Sequence, residues 1–210
     1  MQLALLQPLW RQFSDARWLD ILLSRRAHRL TNELRQGLHA TKQARLERRL
    51  KNLEQELRAL AGAVNGGLAR AAVLAALRES FDKVAALRRK ISPNRTATIH
   101  RARVAFKRFR YMCESLHPHL PGIRKENLDR MREYQTMMGN IQDIEVLLAG
   151  VRRAVEDKEI AARDVGPLRR ELLRRRRELI GNYLAAADTL FHFAPNTLAP
   201  PARRPATLVP

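Results

Sequence analysis

The sequence has one cysteine, few aromatic residues and about half as many acidic as basic side chains. Cys113 has no second cysteine to pair with, which excludes an internal disulfide and any zinc site built from several thiolates. A lone cysteine fits a reducing cytoplasm, and we expect it to pack as a small apolar residue inside a helix. No segment is long and apolar enough to span a membrane, and Met1 to Trp10 lack the basic region and cleavage site of a signal peptide. The sequence therefore predicts a cytoplasmic protein without a membrane partner.

Motifs of catalytic and metal sites are also missing. The phosphate-cradling motif Gly-x-x-x-x-Gly-Lys-Ser/Thr does not occur, which argues against an NTPase. His117 and His119 flank a proline and have no nearby cysteine or aspartate to complete a metal site. Asp143 and Glu145 lie about 200° apart on a helix, so they are not a catalytic carboxylate pair. A structural pairing of Asp143 with a basic residue is the better interpretation, and we expect no metal, no cofactor and no enzymatic activity.

The positive charge, by contrast, is large. Forty Lys and Arg against 21 Asp and Glu give a formal charge of +19, which repels itself unless an anionic partner neutralises part of it. Nucleic acid, polyphosphate and an anionic membrane surface all meet this requirement, so net charge alone does not choose among them. The 5% of aromatic residues offers few platforms for stacking single-stranded nucleic acid, which disfavours that partner.

Hydrophobic periodicity predicts a nearly all-α fold made of antiparallel helical bundles. Steps of four and three residues, the spacing of an apolar seam on a helix, predict one long helix from about Ser24 to a turn at Gly66-Gly67. A second seam follows and should end at Ser92-Pro93-Asn94, because proline disfavours helical geometry in the residue before it. The first seam consists of Leu46, Leu50, Leu53, Leu57, Leu60 and Val64, and the second of Leu77, Phe81, Val84 and Ile91.

Three more helices follow in the second half of the chain. The apolar pattern and its breaks predict them over residues 96–116, 125–155 and 166–191. The remainder, after Ala194, is rich in proline and poor in apolar residues, so we expect a disordered tail.

The helix predicted over 96–116 has a cationic side. On a wheel of 100° per residue with His100 at zero, Arg103 falls at about −60° and Lys107 at about −20°. Arg110 falls at about −80° and Tyr111 at about +20° on the same wheel, so all five share one side. The opposite arc is apolar and can be buried. It consists of Ala102, Ala105, Phe106, Phe109, Met112, Cys113 and Leu116.

An acid-free stretch surrounds this side. Solvated helix faces usually mix charges, because opposite charges three or four residues apart stabilise a helix by about 0.2 to 0.5 kcal/mol per pair. No acid occurs between Asp82 and Glu114, so we interpret the cations in between as forgoing local pairing. An external anion would relieve the repulsion among them. Arg88 falls on the apolar seam of its own helix and either points into a groove or packs its stem while its guanidinium reaches water. Arginine forks and lysine ammonium groups together suit a flexible phosphate chain.

A spaced set of residues extends from this side into the next helix. It runs His100-x-x-Arg103-x-x-x-Lys107-Arg108-x-Arg110-Tyr111 and continues with Gln135, Gly139 and Asp143-Ile144-Glu145-Val146-Leu147. This pattern resembles the second repeat of the CHAD domain, a family named for conserved histidines in an α-helical domain. The resemblance spans about residues 10 to 193.

The resemblance implies a function as well as a fold. It implies two related helical bundles around a basic surface or channel that binds inorganic polyphosphate without catalysis, and association with polyphosphate granules. Arg88, from its place on the seam, is added to the phosphate contacts that the resemblance implies. Those contacts are His100, Arg103, Lys107, Arg108 and Arg110.

An internal echo indicates where a first repeat ends. Residues 16–23 parallel residues 141–148 at an offset of 125, with Trp18 in place of Asp143, so a polar contact of the first repeat is expected to be lost. The resemblance then implies an incomplete first repeat over 1–64, whose basic helix would lie upstream of Met1. The second repeat would cover 65–193 and the tail 194–210. One cationic wall would be missing or supplied by a second subunit of a homo-oligomer.

Three functions stay open at this point, with polyphosphate binding in the lead. A nucleic-acid-binding protein would use the same cations on a phosphate backbone and would compete with polyphosphate. A helical scaffold or assembly protein would carry the charge for solubility alone. A second basic cluster, Arg169, Arg170 and Arg174 to Arg177, contains Glu171 and precedes Glu178, and these mixed charges favour a solvated face.

Overall fold

Helices joined by short connections make up the chain. A computed structural model describes residues 14–40, 43–63, 66–119 and 122–195, and within these ranges there are six α-helices, one 3₁₀-helix and no β-strand. The predicted all-α class is confirmed. The elements are α1 (Ser14–Ala40), α2 (Gln43–Ala63), α3 (Gly66–Arg89), α4 (Thr96–Leu116), α5 (Lys125–Glu156), α6 (Gly166–Ala186) and the 3₁₀-helix Ala187–Phe193.

Helix α4 has the bounds that the sequence predicts, and local hydrogen bonds fix its start. Ser92 and Arg95 form an isolated bridge around the turn at Pro93-Asn94. The hydroxyl of Thr98 accepts a hydrogen bond from the Ser92 amide at 3.0 Å and donates one to the Arg95 carbonyl at 2.6 Å. These bonds set the first turn of α4.

The single long helix expected from Ser24 is wrong. The chain forms two helices there, α1 from Ser14 and α2 from Gln43, and residues 41–42 between them lie outside the described ranges. The end expected before Asn65 agrees with α2, which ends at Ala63, but the two glycines expected in a turn are the first residues of α3. Residues 64–65 lie outside the described ranges. The alanine-rich residues 69–76 that follow have high helix propensity and favour a helix that starts at the glycines despite their own low propensity.

The helix predicted over 166–191 changes type near its end. It is α-helical to Ala186 and continues as the 3₁₀-helix, whose buried residues Ala187, Leu190 and Phe193 are spaced by three. A 3₁₀-helix has three residues per turn, so this spacing puts all three on one side. The predicted disordered tail falls almost entirely on residues 196–210, which lie outside the described ranges, as do Met1 to Trp10.

The chain divides into two compact units, each drawn from separate stretches. The second unit comprises residues 72–145 and 173–210. At its core the ring of Phe106 lies 4.9 Å from that of Tyr134 and 5.9 Å from that of Phe193, centroid to centroid. Cys113 is fully buried in this core, as predicted, and burial raises the pKa of its thiol to about 12.

The first unit comprises residues 1–71 and 146–172. Its buried apolar side chains include Leu147 and Val151 of α5 and Leu168 of α6. Several leucines of α1 and α2 are at least half exposed. The division of the chain into repeats at residues 64 and 65 stays a prediction.

Candidate functional site

The cationic side of α4 lies along its boundary with α5. Nδ1 of His100 is 2.8 Å from Oε1 of Gln142, and Nε of Arg110 donates a hydrogen bond to Oε1 of Gln135 at 2.9 Å. Residue numbers rise along α4 between these contacts while they fall along α5, so the two helices are antiparallel here. At a rise of 1.5 Å per residue the two contacts lie about 15 Å apart along α4.

Arg103 and Lys107 occupy the part of α4 between these two contacts. Both residues are half-buried, and on the helical wheel they fall between His100 and Arg110, which contact α5. We therefore place them along the groove where α4 and α5 meet. Gly139 of α5 falls on the same helix side as the two glutamines and is buried. His100, Arg103 and Lys107 together are called the α4 stripe below.

The α4 stripe has donors with which to bind an anion. Nε of Arg103 is buried without a hydrogen-bond partner in the described ranges, and such an unsatisfied donor costs about 1 to 3 kcal/mol. Because Oε1 of Gln142 only accepts, His100 donates through Nδ1, and its Nε2 donates only when the ring is charged. Nζ of Lys107 lies 5.4 Å from the ring centroid of Tyr111, a cation–π contact that consumes none of its N–H donors.

Arg110 faces inward, and its contacts correct the interpretation that all cations of the acid-free stretch forgo local pairing. The residue is buried, and its Nη1 lies 2.5 Å from Oε1 of Glu114, which also accepts from Nη2 of Arg132 at 2.9 Å. Arg110 therefore does not forgo local pairing. Its partner is the acid that closes the acid-free stretch, one helical turn further on and thus on the same side of α4.

Arg88 also has a carboxylate partner, so it too does not forgo pairing. Its Nη2 lies 3.1 Å from Oδ1 of Asp188, and neither of the two positions proposed from the sequence included this ion pair. The pair lies near two buried tyrosines, Tyr134 and Tyr183, whose pKa values are raised mainly by burial and lowered in part by Arg88. The hydroxyl of Tyr134 donates to the carbonyl of Ala187 at 2.9 Å. Arg88 thus belongs to the packing of α3 against the 3₁₀-helix.

Arg108 lies on the outer face of α4. Its side chain is exposed, about 100° around the helix from Lys107. Val104 is on the same face and is 37% exposed. Of the six predicted contacts, the structure therefore aligns three as the α4 stripe and places Arg108, Arg110 and Arg88 in three other environments.

One protein family matches the sequence. The CHAD domain family covers residues 2–152, which is more than half of the 210 residues. This chain belongs to the CHAD domain family. The resemblance drawn from the spaced residues of α4 and α5 is thereby confirmed. Comparisons with curated proteins and with solved structures give no match.

CHAD domains are associated with polyphosphate-related proteins in general. The spaced set that identified the family includes the α4 stripe and Gln135, all inside the matched residues. None of the described helices is both long enough and apolar enough to cross a membrane.

The second basic cluster lies beyond the CHAD match and has acidic partners. Arg174 pairs with Glu178, and Arg176 with Glu145. At least two arginines of this cluster therefore have acidic partners within the protein. Glu145 thus has an ion pair. Asp143, which the sequence favoured for a structural pairing with a basic residue, is buried, and that pairing stays a prediction.

The histidines after α4 have local roles. Nδ1 of His117 hydrogen-bonds the carbonyl of Ile123. In the part of the chain that the structure describes, no group of three or more His, Cys, Asp or Glu is placed to hold a metal ion.

Sequence reasoning missed three partners of the predicted cations. Asp188 lies 100 positions from Arg88, and no local pattern points to it. Glu114 was seen only as the end of the acid-free stretch. Gln142 follows Gln135 by seven residues, two helical turns, and this spacing is the signal that places both on the α4 side of α5.

Proposed function

We propose that this CHAD protein binds inorganic polyphosphate along the α4 stripe and catalyses no reaction on it. The observation that supports the proposal is the row of His100, Arg103 and Lys107 beside the groove to α5, with Nε of Arg103 buried and unsatisfied. Membership of a family associated with polyphosphate-related proteins supports the choice of polyanion.

A histidine and two cations on successive turns suit a ligand with a phosphate at every repeat. Arg103 offers a planar fork of donors for two oxygens, whereas Lys107 offers a compact charge. His100 adds a donor through Nε2 once its ring is charged. A chain lying along the groove would meet all three in turn, and a single orthophosphate would meet one or two.

The other predicted contacts remain part of the proposal, with different access to the ligand. Arg108 would bind a long chain from the exposed face of α4. Arg110 and Arg88 would bind phosphate only in competition with Glu114 and Asp188. We therefore expect the α4 stripe to contribute most of the affinity.

The direct test is a titration with polyphosphate of defined chain lengths at low and moderate salt. Binding should weaken steeply with salt, because each cation that contacts a phosphate releases counterions. Long chains should bind more tightly than short ones and should keep their length during incubation. Failure of long-chain polyphosphate to bind at low salt contradicts the proposal.

Competition separates polyphosphate from nucleic acid as the ligand. The α4 stripe is beside one exposed aromatic residue, Tyr111, so stacking offers a base little additional affinity. We expect single-stranded and double-stranded DNA to displace polyphosphate poorly at equal phosphate concentration. Displacement at equal concentration would make nucleic acid the better assignment.

In a cell this binding would hold the protein on polyphosphate granules in the cytoplasm. A fluorescent fusion should follow the granules, and its granule fraction should fall when Arg103 and Lys107 are both replaced by Gln. A fusion whose distribution ignores both the granules and the substitutions contradicts this part of the proposal.

A further inference from the structure

The first three leucines of the apolar seam of α2 are exposed. Leu46, Leu50 and Leu53 expose 50%, 60% and 51% of their surface. Their spacing of four and three is nevertheless that of a side that packs against another helix. A row of exposed leucines along one helix is the kind of patch that indicates an interaction surface.

The seam has the spacing of a coiled coil. With Leu46 at heptad position d, the a and d positions from there to residue 64 are all aliphatic: Leu50, Leu57 and Val64 at a, and Leu46, Leu53 and Leu60 at d. Helices with this repeat wind around each other and insert each a or d side chain between four residues of the partner. The seam is therefore suited to a helix that carries the same repeat.

We propose that α2 is a dimerisation helix, which packs along its leucine seam against α2 of a second copy of this chain as a parallel two-stranded coiled coil. The inference does not depend on the ligand of the α4 stripe. It rests on the exposed leucines, on their heptad spacing and on the charges that flank them.

Those flanking charges favour the parallel orientation. In a parallel pair, position g of one helix faces position e of the next heptad on the other. Arg49 at g then faces the partner's Glu54 at e, and symmetry provides this attraction twice. Glu56 at the next g position faces an alanine, so no like charges meet along the described helix.

In an antiparallel pair with the two seams aligned, the flanking charges at positions e and g are unfavourable. Positions g then face g, and positions e face e, around a midpoint near residue 55. Glu54 meets the partner's Glu54, and Glu56 meets the partner's Glu56, so like charges repel on both sides of the seam. Within one chain Glu54 accepts from Arg58 at 2.6 Å, but this pair is on the surface, with Glu54 60% exposed, so its carboxylate is accessible to a second arginine.

The first experiment measures the mass of the full chain in solution by sedimentation equilibrium. We expect about twice the chain mass of 24.1 kDa at micromolar concentration. Replacing Leu46, Leu50 and Leu53 by Gln should give the monomer mass with unchanged helix content by circular dichroism. The matched control is Leu68→Gln, which alters a 68% exposed leucine on α3 and should leave the dimer intact. A monomeric native chain, or a dimer that survives the triple substitution, overturns the proposal.

A charge exchange tests the surface without removing leucines. Arg49→Glu should raise the dimer dissociation constant about three- to tenfold, because it brings glutamates together across the seam. Combining it with Glu54→Arg should restore the native value, since the attraction is then re-formed with reversed signs. Equal dissociation constants for the single and the double variant contradict the pairing of g with e.

A single engineered cysteine distinguishes a parallel from an antiparallel pair of α2 helices. Gln43→Cys places a thiol at an a position near the start of α2, while the native Cys113 is buried. In the parallel dimer the two new thiols lie side by side and should form an intermolecular disulfide on mild oxidation. In the antiparallel dimer they lie about 36 Å apart, at 1.5 Å per residue, and a dimer without this cross-link overturns the parallel arrangement.

Discussion

Nη1 of Arg110 lies 2.5 Å from Oε1 of Glu114, and that same oxygen accepts a second hydrogen bond from Arg132. One carboxylate thus pairs with two guanidinium groups at the C-terminal end of the cationic side of α4. The side chain of Arg110 is only 10% exposed, so we expect this arginine to contribute more to the stability of the fold than to ligand binding. Lys107, one turn earlier, takes part in none of the described ion pairs. Substitution of Arg110 should therefore affect mainly stability, and substitution of Lys107 mainly binding.

Substitution of Arg110 should lower stability. Arg110→Gln leaves Glu114 with one partner fewer, and a lost hydrogen bond to a charged, mostly buried group costs about 1 to 3 kcal/mol of unfolding free energy. Lys107→Gln, on the edge of the groove, should stay within about 0.5 kcal/mol of the native chain. Urea denaturation measures both values. Equal losses in the two variants would contradict the structural assignment of Arg110.

Substitution within the α4 stripe should weaken polyphosphate binding and flatten its salt dependence. Arg103→Gln and Lys107→Gln should each reduce the slope of log K against log salt by about one, since each removes one phosphate contact. Arg152→Gln removes the same charge from a 71% exposed arginine outside the stripe and is the matched control. An equal change in slope for the control would mean that net charge alone drives binding.

The Arg88–Asp188 ion pair gives a test of Arg88 as a phosphate contact. Asp188→Asn removes the carboxylate that competes for this guanidinium, and exposed pairs contribute about 0.2 to 1 kcal/mol. Asp188 is 78% exposed, so we expect polyphosphate affinity to rise by no more than about fivefold. Isothermal titration calorimetry measures the change. Unchanged affinity in Asp188→Asn would remove Arg88 from the set of phosphate contacts.

Cys113 should be chemically silent in the folded protein. Burial raises the pKa of its thiol to about 12, so almost no thiolate is present at pH 8 and reagents also lack access. Ellman's reagent should label the native chain far more slowly than the chain in guanidinium chloride. Labelling at equal rates would mean that the α4 core opens readily.

Truncation of Phe106 should test the core of the second unit. The ring is fully buried and contacts Tyr134 and Phe193, so Phe106→Ala should cost about 3 to 5 kcal/mol of unfolding free energy. Val104→Ala, on the exposed face of the same helix, should cost less than about 1 kcal/mol. Thermal and urea unfolding, followed by circular dichroism, give both values.

Local sequence patterns were sufficient for much of the fold and for the alignment of the α4 stripe. Helix α4 has the predicted bounds, 96 to 116, because a proline turn and a regular apolar period are encoded within a few residues. The alignment of His100, Arg103 and Lys107 follows from helix geometry alone. The family was recognisable from the same spacing, and its match over residues 2–152 confirms it. The division between α1 and α2 was not recognised, because apolar periodicity continues on both sides of residues 41–42 and does not register where a helix stops.

The amino-acid sequence by itself thus determined an all-α CHAD protein with a cationic side on α4, since these properties depend on residues within a few helical turns of each other. Only the tertiary structure decided which cations have partners. The contacts of Arg110 with Gln135 and of Arg88 with Asp188 join residues 25 and 100 positions apart, a range that periodicity does not reach. It also decided which apolar sides are covered, so that Leu46, Leu50 and Leu53 of α2 are exposed while Phe106 is buried. Burial depends on what packs against a helix, and a helix's own residues do not specify that neighbour.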